Sequence, residues 1–399
     1  MRTALAILVC VSLFSSACRW EPPPPWTVAV QPVASPASGE SMSPQLTTSS
    51  RGVILSWIER SGDTNVLKFS QRAGAGWSTP LAVISGERWF LSEADVPSVF
   101  RKADGTLVAN WLPEIDATLE AYHVQLAYSK DEGKTWSAPF QPYTDRTMTQ
   151  HGFASFFDLP NNGLGLVWLD ARAQELDAAS PDGGATALRS ATFDADWKQT
   201  SETVTDARVC DCCQTTAANT GDGPLTVYRD RSSTEVRDIR VGRWNGSAFV
   251  EGPLVHADNW EIPACPVNGP ALATHERLVA TAWFTAVGEE GHAYAAFSSD
   301  AGRTWGQPVR LDDAGSTGHV GIVLLEDGSA VASWEEVNGE LRMRRVEASA
   351  TKSPAVAVGA RPGGPAKLAY ANGELLLAWS EGGQIKTAAA PVPRATAVR

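Results

Sequence analysis

Beyond residue 18 the 399-residue sequence has no apolar run long enough to cross a bilayer, which excludes a spanning helix from the rest of the chain. Long segments with a 3.6-residue apolar period are also missing, and with them the case for a helical bundle. Cations are in deficit: 33 Lys and Arg face 45 Asp and Glu, for a formal net charge of −12. That balance makes nucleic acid and anionic membrane surfaces poor partners. Cysteine is scarce at six residues, and neither a repeated C-x₂-C nor H-E-x-x-H is present, so the usual zinc signatures are absent. What the chain does have is tryptophan, 15 in all, with 34 Gly and 25 Pro punctuating it throughout. Short apolar stretches between such breaks read as an all-β protein.

The one long apolar run is at the start. Met1-Arg2 supplies a positive beginning, "ALAILVCVSLF" follows, and "SSAC" ends at Cys18. Residues 1–18 are therefore expected to be a secretory signal. The small residues before Cys18 resemble a bacterial lipoprotein processing site, with Ser15 where that pattern usually has Leu. The resemblance implies lipidation of Cys18, a stiff Pro-rich tether over 19–25 and attachment at the outer membrane, since Arg19 is not the Asp of inner-membrane retention. Cleavage near Ala17 would instead give a secreted protein. Either way export permits disulfides, Cys10 leaves with the signal, and Cys210, Cys212, Cys213 and Cys265 remain.

Seven segments share one pattern: a turn residue, alternating apolar residues, then an aromatic. The aromatics are Trp57, Trp111, Trp168, Tyr228, Trp283, Trp334 and Trp379. Their spacing of about 45–60 residues suits a propeller blade. Short strands flank each one, as in "SPQLTTS" (43–49) before and "VLKFSQR" (66–72) and "STPLAVIS" (78–85) after. The expectation is a single domain over 26–399: a seven-bladed propeller of four-stranded antiparallel blades, six-bladed if one unit is degenerate. The seventh unit lacks a fourth strand, which "WTVAVQPVA" (26–34) is placed to supply, closing the ring.

"SKDEGKTW" (129–136) and "SSDAGRTW" (298–305) match S-x-D-x-G-x-T-W, with eroded copies at "SQRAGAGW" (70–77) and "ATFDADW" (191–197). By these motifs the chain resembles the sialidase-type Asp-box (BNR-repeat) β-propellers over nearly all its length. The resemblance implies that Asp131, Gly133, Trp136, Asp300, Gly302 and Trp305 are structural. The carboxylates accept turn N–H groups, the glycines allow positive φ and the tryptophans wedge between blades.

The same resemblance raises a glycoside hydrolase acting on acidic sugars. Such a site needs an arginine triad, an acid/base Asp and a Tyr–Glu nucleophile pair. Pro44 and Pro97 stand where the family's Arg-Ile-Pro would lie, but no Arg precedes either. Arg172, Arg208, Arg229, Arg231 and Arg237 are available to bind an anion, with paired surface charge as the plainer reading, given Asp170, Asp206, Asp230 and Asp238 beside them. Tyr228 reads as its blade's packing aromatic.

The repeat also places the cysteines. Cys212 and Cys213 lie just before the fourth inner strand and Cys265 before the fifth, while His151 and His319 hold similar places in the third and sixth. Inner-strand starts ring one mouth of a propeller channel, so these residues are expected to converge there. Disulfides between neighbouring blades fit an exported chain, and a copper or zinc ion held by thiolates and imidazoles fits the residue types. Trp89, Asp95, Asp206, Arg208, Glu261 and Asn268 are expected at the same mouth, with Arg229 and Arg237 as further ligand-binding candidates. The functional expectation is an exported, monomeric propeller that binds a polar small molecule, glycan or metal there. The alternatives are the hydrolase, a metal- or redox-dependent envelope enzyme resting on the cysteine cluster, and a non-enzymatic envelope binding module.

Overall fold

A computed structural model describes residues 29–176, 184–360 and 362–392. The expected signal over 1–18, Cys18 and the expected tether over 19–25 lie outside these residues. The described chain forms seven antiparallel sheets, over 40–86, 98–140, 151–206, 216–254, 271–310, 316–360 and 367–391. Each is a meander in which consecutive strands pair, the arrangement that short turns enforce. The second blade is the least regular. It has three strands, Phe140 pairs with Leu126 in place of a fourth, and a small hairpin (Glu114–Asp116 with Ala121–Tyr122) is inserted after its second strand.

The seventh blade is completed by the first strand among the described residues. Gln31–Val33 lies antiparallel to Gln384–Pro391, with Pro32 opposite Ala388. Gln31–Val33 thus fills the outer place of the seventh blade, as expected of the spare segment 26–34.

Seven hydrophobic clusters form the core, and each joins two consecutive blades. Leu225 and Val227 of the fourth pack with Val279 and Trp283 of the fifth, and Val323 of the sixth with Leu377 of the seventh. Leu376 of the seventh meets Leu55 and Trp57 of the first, which completes the circle. All seven repeat aromatics lie on second strands and are buried. Removing such a side chain from water contributes roughly 1.5–3 kcal/mol, which no isolated four-stranded sheet could obtain.

Four of these indoles also donate a hydrogen bond two residues along their own strand. Trp57 reaches Glu59 at 3.0 Å, Trp168 reaches Asp170 at 2.8 Å, Trp334 reaches Glu336 at 3.0 Å and Trp379 reaches Glu381 at 2.9 Å. Residues i and i+2 share a strand face, so W-x-[DE] brings donor and acceptor together. Tyr228 and Trp283 use carboxylates from other segments, Asp206 at 2.8 Å and Asp258 at 2.7 Å.

The two S-x-D-x-G-x-T-W turns are near copies. Ser129 and Thr135 donate to Asp131, and Gly133 N–H donates to Ser129 Oγ at 2.9 Å. Ser298, Asp300, Gly302 and Thr304 repeat those bonds. Gly133 has φ 83° and Gly302 φ 75°. Trp136 packs edge-on to Phe69 of the first blade, and Trp305 joins the cluster between the fourth and fifth.

Candidate functional site

The seven inner strands enclose a cavity of about 580 Å³ along the ring axis. Its middle is walled by small residues such as Ala217, Ala271, Gly321 and Ala369. Asp95, Gln214, Asn268, His319 and Lys367 stand at the inner-strand starts, while Asp158 and Asn219 line the cavity near the other end of those strands.

A belt of side-chain-to-backbone bonds holds this mouth. Phe153 and His319 sit at irregularities in their strands with φ of 55° and 52°. Their N–H groups turn toward the previous blade, Phe153 donating to Asp95 Oδ1 and His319 to Asn268 Oδ1, both at 2.8 Å. Gly269 N–H donates likewise to Gln214 Oε1 at 2.7 Å. Such backbone costs of order 1 kcal/mol or more per residue, and the received hydrogen bonds offset it. Asp95 and Asn268, expected to meet a ligand, are therefore clamps between blades as well as wall residues. Burial pushes the Asp95 carboxyl up to about 7, against the pull of Phe153 N–H and the Tyr122 hydroxyl.

The other expected ligand residues lie elsewhere. Trp89 pairs with Pro113 and packs into the core of the first two blades. Asp206 accepts from Tyr228 and from Arg208 N–H, while Glu261 is exposed with its backbone bridged to Val236. Arg229 is not surface charge: it is 2% exposed, and its guanidinium donates to the carbonyls of Asn268, Arg237 and Phe284 over the face of Trp260. Among the described residues no arginine lines the cavity. Its cationic groups are Lys367, whose amine burial pulls down to about 8 against the attraction of Glu93, and His319 when protonated.

The cysteines do converge. The segment 209–213 links the outer strand of the third blade to the inner strand of the fourth, and Cys265 occupies the same kind of link one blade on. Cys212 and Cys265 form a disulfide, with Cα atoms 6.1 Å apart. Cys210 and Cys213 are free and buried. Cys210 Sγ lies 3.8 Å from Cys212 Sγ, and the sulfurs of Cys210, Cys212 and Cys213 all fall within 4.8 Å of one another. Arg237, 3% exposed, brings Nη1 to 3.5 Å from Cys210 Sγ. Burial raises the Cys210 thiol, but the hydrogen bond from Cys213 and the charges of Arg229 and Arg237 bring it down to about 7, while Cys213 is pushed well above its ordinary value.

The expected imidazoles do not join them. His151 is turned toward the second blade and the link that follows it, with Nε2 2.9 Å from Asp145 and its ring between His123 and Tyr143. His319 Nδ1 is held by Glu335 Oε2 at 2.7 Å. Among the described residues, the compact groups of metal-ligating type at this corner contain cysteines and Asp211 but no histidine. A soft ion would find three sulfurs only with the Cys212–Cys265 bond reduced.

Sequence reasoning passed over Gln214 and Lys367. Each stands at an inner-strand start, in "CCQTT" and "PAKLAY", where the repeat alone marks a position on the mouth.

No family model matches the chain, and no curated protein matches it in sequence. Among solved structures it is similar to a protein of unknown function from Dyadobacter fermentans, with TM-score 0.50 and 13% identity over 92% of this chain and 99% of that one. A GH93 α-L-arabinofuranosidase of Fusarium graminearum aligns with TM-score 0.49 and 13% identity, covering 91% and 97%. A leech intramolecular trans-sialidase aligns with TM-score 0.48 and 11% identity, covering 82% and 79%. At these identities the likeness concerns the fold, which the strand pairing already defines.

Proposed function

We propose that this chain is an exported, lipid-anchored binding propeller of the Asp-box type, acting as a monomer. It takes a polar small molecule or short glycan into the mouth of its axial cavity. The observation that carries this reading is the cavity itself: about 580 Å³, with Lys367 and His319 as the cationic groups of its wall. That volume is in the range of small-ligand sites, which run from roughly 300 to 1,000 Å³. Two turns with the same S-x-D-x-G-x-T-W bonding support the Asp-box reading.

An exo-sialidase is the less favoured reading, because a sugar carboxylate would meet one lysine rather than a set of arginines. Asp95, protonated up to about pH 7 by its burial, is the feature that keeps hydrolysis in view. Copper or zinc at the cysteines is a further proposal and requires the disulfide to open.

The test is calorimetric titration of neutral and acidic mono- and disaccharides into wild type, Lys367→Ala and His319→Ala, with an aryl sialoside assayed for turnover. Binding by wild type, lost in Lys367→Ala while its thermal unfolding is unchanged, is the expected result. Saccharide binding unaffected by both substitutions would place the ligand elsewhere, and robust sialoside turnover would favour the hydrolase.

A further inference from the structure

Two cysteines suffice to staple neighbouring blades, yet four meet at this corner. The staple is Cys212–Cys265. The pair left free, Cys210 and Cys213, has the C-x-x-C spacing of redox dithiols. Burial divides the four as well: Cys210 and Cys213 are enclosed, whereas Cys265 is exposed. We propose that these cysteines form a thiol–disulfide relay, which carries an electron pair from the buried Cys210/Cys213 dithiol to a disulfide-bearing substrate that meets Cys265 at the surface.

The geometry supplies each transfer. Cys210 Sγ is 3.8 Å from Cys212 Sγ, so the attacking sulfur already touches the disulfide. Arg237 Nη1 lies beside Cys210, and Arg237 Nε is buried with no hydrogen-bond partner, leaving the guanidinium donor capacity toward a sulfur anion. Cys213 belongs to the same group of sulfurs, within 4.8 Å. Thiolate attack on a disulfide needs such proximity and a stabilised anion, and no other cofactor.

The steps balance. Cys210 thiolate attacks Cys212 Sγ: the Cys210–Cys212 bond forms, the Cys212–Cys265 bond breaks, and the electron pair leaves on Cys265. Cys265 thiolate attacks a substrate disulfide RSSR′, forming Cys265–SR and expelling R′S⁻, which is protonated by water. Cys213 loses its proton to water and attacks Cys210 Sγ, forming Cys210–Cys213 and freeing Cys212 as thiolate. Cys212 then attacks Cys265 Sγ of the mixed disulfide, re-forming Cys212–Cys265 and releasing RS⁻, which is protonated in turn. The net change is oxidation of one dithiol and reduction of one disulfide to two thiols. An external dithiol restores Cys210 and Cys213 by the same exchanges in reverse.

The full-length protein, prepared without reductant, is treated with a bulky maleimide and its disulfides are mapped by non-reducing peptide mass spectrometry. Wild type is expected to acquire label at Cys265, with Cys210 recovered bonded to Cys212 or Cys213. Cys210→Ser is expected to lower that labelling by about tenfold or more, because the attacking sulfur is gone. Labelling that is absent in wild type, or equal in Cys210→Ser, overturns the relay. Turnover is read as reduction of oxidised glutathione with dithiothreitol as donor, above the uncatalysed rate and lost in Cys265→Ser. Should Cys210→Ser not fold, Cys213→Ser separates the steps: it keeps the first attack and the Cys265 label but loses turnover, and full turnover in that variant refutes the scheme. Isolation of the protein with four reduced thiols and a stoichiometric copper or zinc ion refutes it as well.

Discussion

The indole of Trp334 donates to Glu336 Oε1 at 3.0 Å, both residues buried on one face of the strand Ala330–Glu336. The pair sits beside the buried Arg344 guanidinium, which lies over the face of the same indole. Trp334→Phe keeps most of the packing but leaves the carboxylate without that donor. A loss of about 2 kcal/mol in urea unfolding is expected, since an unsatisfied buried acceptor costs ~1–3 kcal/mol. A loss well below that would mean that the indole contributes by volume alone.

Asp95 links stability to pH in the direction opposite to most carboxylates. Its folded value, about 7, lies above the unfolded value of about 3.9. The folded state therefore binds the extra proton between these values. Its contribution is fully present below the unfolded value and is lost as pH rises through about 7. Asp95→Asn keeps an acceptor for Phe153 N–H and has no proton to lose. The variant should show a flatter stability profile between pH 4 and 7 and gain on wild type above pH 7, measured by chemical unfolding across that range. Parallel profiles for the two proteins would exclude the assignment.

Asp131 acts in the ordinary sense. The Thr135 N–H and hydroxyl and the Ser129 hydroxyl hold its carboxyl down to about 2. The stability it contributes is present above the unfolded value of about 3.9 and disappears as pH falls through about 2. Asp131→Asn is expected to be less stable than wild type at pH 6, with the gap closing by pH 2. Acid titration of both followed by tryptophan fluorescence gives the comparison. A gap that persists at pH 2 would point to lost turn geometry instead of charge.

Cys18→Ser addresses the anchor. With lipidation blocked, the protein should move from the membrane fraction to the soluble one, or accumulate unprocessed. Wild type found wholly soluble, with an unmodified N-terminal Cys18, would leave ordinary secretion as the route.

The blade count was readable because its carrier is a spacing: seven turn–strand–aromatic segments became seven second strands. Ring closure was readable too, since a spare apolar strand at one end met a missing strand at the other. The site was readable only as positions. The repeat puts Cys212, Cys265, His151 and His319 at inner-strand starts, but not the direction in which each side chain turns. His151 turns toward the second blade because Asp145 and the rings of His123 and Tyr143 receive it there, and no periodicity encodes that. Arg229 suggested a ligand-binding or a surface charge, and neither reading finds its buried place, because its acceptors are carbonyls, which every residue has, so the sequence carries no mark of them. The W-x-[DE] pairs, by contrast, stand plainly in "SWIER", "VWLDA", "SWEEV" and "AWSEG" and were passed over.

The pairing of Gln31–Val33 with Gln384–Pro391 also orders events in time. During synthesis Gln31–Val33 emerges early but waits for its place, since its partner follows some 350 residues later. Six blade interfaces can form in sequence as the chain lengthens, but the seventh waits for both ends. Until then the molecule is an open arc with a bare sheet at each tip, the state in which a protease or a second arc would find it. A ribosome that stops short of residue 384 leaves Gln31–Val33 without the strand it pairs with, however well the blades before it have packed.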